Sequence, residues 1–285
     1  LSLTETQTML KNSAREFLDR EAPRALIKEM DESDSGFSPE LWSQMSDMGW
    51  VGLALPEKYG GGDGNLTDVG VLFEELGYAC VSSPLHSSVL MAGLAILEAG
   101  TEEQKENLLP SIANGSRILA FAVTEPEYGW TPDYVNLKAD QSGDNYILNG
   151  TKLFVPDAQV ADQIIVLART APGEENGLTM FLVDSTANGL SRRVLPGWTG
   201  DKQCELNFSN VEVSSSSILG EVNGGWKPFS SVLDKATAVI CAYMVGGMQK
   251  LYEMSNEYSV NRIHFGVPIS TFQRVQDYII DILNH

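Results

Sequence analysis

The period of the hydrophobic pattern changes twice along this chain, and that double change restricts the possible folds more than any other feature. Through residues 4–115 apolar side chains recur at helical spacing, as with Leu10, Ala14, Phe17 and Leu18. Ser38 ahead of Pro39 supplies an N-cap and a first-turn proline, and Thr101 with Gln104 reads as a capping box. The glycine-rich stretch 55–64 predicts a loop before helix resumes at Leu66, and Leu85 to Ala99 predicts a strongly apolar helix. Near Ile118 the pattern turns to short β-rich runs: Ile118–Val123, Tyr146–Leu148, Gln163–Leu167, Leu178–Val183, Cys204–Phe208 and Val211–Val213. Asn149-Gly150, Pro172-Gly173 and Asn188-Gly189 lie between them, a spacing typical of an antiparallel sandwich or barrel. After Gly224-Gly225 helical spacing returns, with Phe229, Val232, Leu233, Ala236, Val239 and Ile240 on one stripe that continues to Leu251. A further helix is predicted from Phe272 to Ile282.

The expected fold class is therefore α+β and multidomain: a helical N-terminal domain over 1–117, a central antiparallel β-sandwich or barrel over 118–222, and an incomplete helical C-terminal domain over 223–285. A β-domain flanked by helical domains makes its ligand site at their junctions. Composition narrows the ligand. A formal charge of −19 opposes broad contact with nucleic acid or an anionic membrane, so neither is expected as a partner. The apolar-plus-glycine run Val89 to Leu97 is too short to span a bilayer. Cys80, Cys204 and Cys241 are odd in number and widely separated, as are His86, His264 and His285, so no metal site is expected and a reducing, cytoplasmic setting is.

Five segments, in order, resemble the acyl-CoA dehydrogenase family of flavoenzymes. They are Pro56-Glu57-Lys58-Tyr59-Gly60-Gly61 with Glu74-Glu75; Val123-Thr124-Glu125-Pro126 with Gly129; Leu148-Asn149-Gly150-Thr151-Lys152; Glu205-Leu206-Asn207-Phe208 running to Gly224-Gly225; and Arg262-Ile263-His264-Phe265-Gly266 with Phe272-Gln273. The resemblance implies FAD between the β-domain and the last helical domain, across a subunit interface. It also implies an acyl-CoA substrate desaturated at Cα–Cβ with hydride transfer to flavin N5, a homo- or hetero-oligomer, with a tetramer expected, and an electron-transfer flavoprotein as electron acceptor. Against the flavin it implies Phe121, Val123, Thr124, Gly129, Trp130, Phe154 and Val155. It puts Arg262, Phe265 and Gln273 at the FAD of the adjacent subunit, where a guanidinium suits a pyrophosphate, and Asp234 near the CoA moiety.

Several positions depart from the family pattern. Trp130 and Thr131 replace a Ser-Asp pair. Phe154, Val155 and Pro156 stand where Trp, Ile and Thr are common, so a hydroxyl and an N–H are lost at Pro156. Thr199 and Asp201 replace Arg and Ser, and Thr237 replaces an Arg three residues after Asp234. Ala236 occupies the position where a subset of the family carries its catalytic glutamate; most members carry it about 100 residues further on, so the catalytic residue is unassigned and is expected beyond His285. Those departures leave two alternatives open: a non-catalytic subunit of a heteromeric dehydrogenase, or a flavin monooxygenase on the same fold.

Overall fold

The computed structural model describes residues 2–129, 131–173, 177–198 and 200–284. Four helices, α1 (Glu5–Glu21), α2 (Arg24–Glu32), α3 (Pro39–Asp47) and α4 (Leu66–Tyr78), lead into a π-helical segment, Leu85–Gly93, that continues as α5 (Leu94–Ala99), followed by α6 (Glu102–Ala113). Ser38 caps α3 with Pro39 in its first turn, and the Thr101–Gln104 capping box forms as the sequence predicts. Leu85–Ala99 is one apolar element, but its first nine residues take the rarer π-helical winding, which recurs at functional sites.

Strands β1 (Leu119–Ala122), β2 (Lys138–Ser142), β3 (Asn145–Pro156), β4 (Gln163–Arg169), β5 (Leu178–Asp184), β6 (Leu190–Leu195), β7 (Gln203–Ser214) and β8 (Ile218–Leu219) form one sheet in the order β6-β7-β3-β2-β4-β5-β8, with β1 on β4. Pairing is antiparallel except that β1 and the first residue of β2 run parallel to β4, so the sheet is mixed rather than purely antiparallel. Asn149-Gly150 is not a hairpin turn: it lies inside β3 at a register shift against β7, where Gly150 adopts φ 145° and the Asn149 side chain accepts the Asn210 amide at 2.8 Å. The polar strands β2 and β6 carry no alternation that the sequence pattern detects.

The sheet separates two cores. Ile165, Leu167, Met180 and Phe121 join the helical core, whereas Ile164, Val166, Phe181 and Ala122 join the core enclosed by the sheet itself. Strands β1, β4 and β5 are thus buried on both faces, which is why they read as unbroken apolar runs instead of alternating ones.

The chain then enters α7 (Trp226–Asn261), of 36 residues. Its first half joins the helical core through Phe229, Val232, Ala236 and Val239. It crosses α4 at two glycines: a methyl added at Gly77 would collide with the Tyr243 carbonyl oxygen, and one at Gly246 with that of Glu74. Among the described residues α7 is the one helix long and apolar enough to cross a membrane by length and composition, a property the nine-residue run Val89–Leu97 did not reveal. A short hairpin of β9 (Ile263–His264) and β10 (Val267–Pro268) turns the chain into α8 (Gln273–Asn284), which buries no residue.

Candidate functional site

A cavity of about 550 Å³ opens where the sheet edge, the π-helical segment and the start of α7 meet. From the sheet side come Phe121, Val123, Thr124, Leu153, Phe154 and Pro156; from α7, Trp226, Phe229 and Leu233; from the π-helical segment, His86, Ser87 and Met91. Tyr128, Gly129 and Thr131 belong to the connection after β1, and Val135 and Gln203 complete the wall. The wall is mainly apolar, with the Phe121 and Phe229 rings 5.4 Å apart. No aspartate, glutamate, lysine or arginine lines it among the described residues.

Two sequence motifs meet beneath this cavity in a buried ion pair. Lys152 is fully buried, and its Nζ donates to Glu125 Oε1 at 2.7 Å and to the Val123 carbonyl at 2.8 Å. Glu125 also accepts the Asn136 and Leu137 amides at 2.9 and 3.0 Å. Burial pulls the Lys152 ammonium down to about 8 against the attraction of Glu125. The pair fixes the backbone at Val123, and the Leu153 amide donates to the Thr124 carbonyl at 2.8 Å, so the two motifs become one wall. The Thr124 hydroxyl and the Gly129 amide make no hydrogen bond to other described groups.

Phe154 presents a ring that is 40% exposed and lies 5.7 Å from the Tyr128 ring; both residues hold positive φ, at 53° and 55°. Such backbone is costly for a large side chain and persists where the surroundings enforce it. At the register shift between Lys152 and Val155, where Phe154 holds positive φ, Leu153, Phe154 and Pro156 line the cavity while Val155 enters the core inside the sheet. Val155, expected against the flavin, is buried in the core inside the sheet and does not line the cavity.

His86 and Ser87 enter from the opposite side. Burial holds the His86 imidazole below its ordinary pKa, opposed by a hydrogen bond to the Ala236 backbone. The Ser87 hydroxyl donates to Asp157 Oδ2, in the turn just after β3. Burial pushes the Asp157 carboxyl up to about 6, with the Ser87 hydroxyl opposing and the charge of Asp201 adding to the shift. These two residues lay within a segment that sequence reasoning read only as apolar helix; a histidine in such a run was the one available signal.

The structure thus brings Phe121, Val123, Thr124, Gly129 and Phe154 together. Trp130 and Thr199 lie outside the described residues. Asp234 is exposed, one residue beyond the cavity-lining Leu233. Arg262, Phe265 and Gln273 form an exposed cap at the far end of α7, with Phe265 84% exposed and against Phe272 at 6.3 Å. At 1.5 Å per residue the helix carries this cap about 50 Å from Phe229, so it serves no part of the same chain's cavity.

Helices pack on one face of the mixed sheet and a mainly apolar cavity lies at their junction, an architecture that comparison with known proteins identifies. Residues 4–116 match the acyl-CoA dehydrogenase N-terminal domain and residues 120–211 the acyl-CoA dehydrogenase middle domain. Acryloyl-CoA reductase (NADH) of Anaerotignum propionicum is 32% identical over 99% of this chain and 73% of its own length. Mitochondrial isovaleryl-CoA dehydrogenase of Pongo abelii is 33% identical over 98% of this chain and 68% of its own. The structure titled "PigA with FAD and proline" superposes with a TM-score of 0.87 at 28% identity, covering 100% of this chain and 76% of that one. The chain belongs to the acyl-CoA dehydrogenase family, a family of oxidoreductases that uses FAD.

Proposed function

We propose that this chain oxidises the Cα–Cβ bond of an acyl-CoA thioester with FAD, and that the junction cavity receives the flavin ring and the acyl group. The observation that carries this reading is the joined wall of Thr124, Gly129 and Phe154, built by the Lys152–Glu125 pair at the cavity of a family member. Its donor set fits a flavin: a hydroxyl and an amide with no hydrogen-bond partner among the described residues suit the acceptor-rich edge of the ring, and the half-exposed Phe154 offers a stacking face. When bound, FAD would supply the acceptor for the hydride from Cβ. Thr124 and Gly129 would hold its edge, Phe154 and Tyr128 would cover a face, and Phe121, Phe229 and Leu233 would exclude water from the acyl group. Loss of the α-proton needs a base, and no carboxylate is among the described lining residues, since Asp157 stands behind Ser87.

The reading extends to assembly. Met244, Met248, Leu251, Met254 and Tyr258 leave the second half of α7 with an exposed apolar face, and α8 adds Ile280 and Leu283. Such a face supports an oligomer, with a tetramer as the expected form, in which Arg262, Phe265 and Gln273 reach the FAD of a neighbouring subunit. An electron-transfer flavoprotein as acceptor and a cytoplasmic setting complete the proposal. The test is anaerobic titration of the purified flavoprotein with acyl-CoA thioesters. Bleaching of the flavin band by at least one saturated thioester is expected, and purification without flavin under all conditions would overturn the reading.

A further inference from the structure

Tyr128 and Gly129 line the cavity from the connection between β1 and β2, residues 123–137. Backbone outside strand pairing keeps one shape only where other groups satisfy and hold it. On one side the Glu125 carboxylate accepts the Asn136 and Leu137 amides. The carbonyls are held by Arg169, the last residue of β4. Its Nε donates to the Val135 carbonyl at 2.9 Å and its Nη2 to the Pro132 carbonyl at 2.6 Å, while Nη1 donates to the Gly173 carbonyl in the loop after β4. The Arg169 backbone amide donates to the Leu137 carbonyl at 2.7 Å, which ties the same connection to the sheet. A planar guanidinium with five N–H groups reaches carbonyls in several directions, whereas the donors of a lysine ammonium radiate from one atom.

Packing carries this hold to the cavity. Pro132–Tyr134 forms a 3₁₀ turn, so the Pro132 carbonyl accepts the Val135 amide at 3.1 Å as well as the guanidinium. The Tyr134 ring lies so close to Gly129 that a Cβ there would overlap it. Next to Gly129, Tyr128 holds φ 55° with its ring 5.7 Å from that of Phe154, a backbone that persists where its surroundings fix it. Arg169 is not itself among the residues that line the cavity.

We propose that Arg169 is a positioning residue for cofactor binding: through the Pro132 and Val135 carbonyls and the Tyr134 ring it sets Tyr128 and Gly129 in the wall that receives FAD. The inference rests on the reading of the cavity as the flavin site. A wall already in place spares FAD binding the ordering of these residues, so a loosened connection shows as weaker binding and not as general unfolding.

Titration of the flavin-free full-length protein with FAD, joined to amide hydrogen exchange read by mass spectrometry, tests this. In Arg169→Gln the amides of residues 126–137 are expected to exchange about tenfold faster while those of β5 and α7 keep their protection. FAD is expected to bind this variant about 5- to 20-fold more weakly. Arg169→Lys, which keeps the charge and a donor for one carbonyl, is expected to recover part of that affinity. Tyr134→Leu removes the ring against Gly129 without touching the cavity wall, and is expected to weaken FAD binding as well. Combined with Arg169→Gln its effect is expected not to multiply, because both act on one connection. Should Arg169→Gln fail to fold, Arg169→Lys and Tyr134→Leu give the same comparison. Faster exchange throughout the chain would make Arg169 a general stabiliser and overturn the proposal. So would losses that multiply, or FAD affinity within about twofold of wild type in a variant whose connection has loosened. A wild-type protein that binds no FAD overturns the cavity reading and this role together; normal FAD binding by a loosened variant overturns the role alone.

Discussion

The two halves of α7 are similarly apolar in sequence and opposite in surroundings. From Trp226 to Val239 the helix is packed against the π-helical segment and the sheet, and Phe229, Val232, Ala236 and Val239 are buried. Beyond Gly246, Met248, Leu251 and Met254 are about half exposed, and Arg262 caps an end that does not reach the junction cavity. The difference teaches that a helical apolar stripe states that a surface will be covered but not by what. The first half is covered within the chain and bears the site; the second offers its face and its arginine outward.

The largest break comes where the halves meet. Gly246→Leu places a side chain against the Glu74 carbonyl, and the helix crossing cannot close; loss of the cooperative thermal transition, a destabilisation above about 4 kcal/mol, is expected by calorimetry. Phe229→Ala removes a buried ring beside Phe121 in the first half and is expected to cost about 3 to 5 kcal/mol in chemical denaturation.

Effects in the second half should fall on cofactor and assembly instead. Arg262→Ala is expected to weaken FAD binding about ten- to hundredfold, roughly 1.5 to 3 kcal/mol for a lost charge-assisted contact, while Glu257→Ala leaves the flavin absorbance ratio unchanged. Equal flavin retention in the two variants would remove Arg262 from any FAD site.

The turn that braces the first half gives a pH-dependent contrast. The Asp157 carboxyl is raised from 3.8 to about 6, so the native state holds its proton more firmly than the unfolded state. Stability from this group is present below about pH 4 and is lost as pH rises through 6. Asp157→Asn, which keeps an acceptor for Ser87, is expected to raise stability at pH 8 by about 1 to 3 kcal/mol and to change little at pH 4. Urea melts at the two pH values check it. The smallest effect is expected at Leu251, which is 58% exposed: Leu251→Ser should alter the stability of the tertiary fold by less than about 0.5 kcal/mol yet lower the oligomer mass in light scattering.

Local physics written in short segments was legible without coordinates. Ser38 and Thr101 cap helices because their side chains satisfy amides of the next turn wherever that turn lies, and the apolar runs at β1, β4 and β5 required burial. The family motifs were legible too, as were Phe121, Val123, Thr124, Gly129 and Phe154 as neighbours of one cavity. What the chain does at long range was not. Lys152 and Glu125 lie 27 residues apart, and either alone reads as an ordinary surface charge; only the folded β-core makes them a buried pair. Val155 left the site because strand alternation is set by the register of β3 on β7, which includes two shifts that no single-strand pattern reveals. His86 and Ser87 became part of the cavity because the π-helical winding and the arrival of Asp157 and of α7 from distant segments enclosed them, and that enclosure exists only once the sheet and α7 have packed.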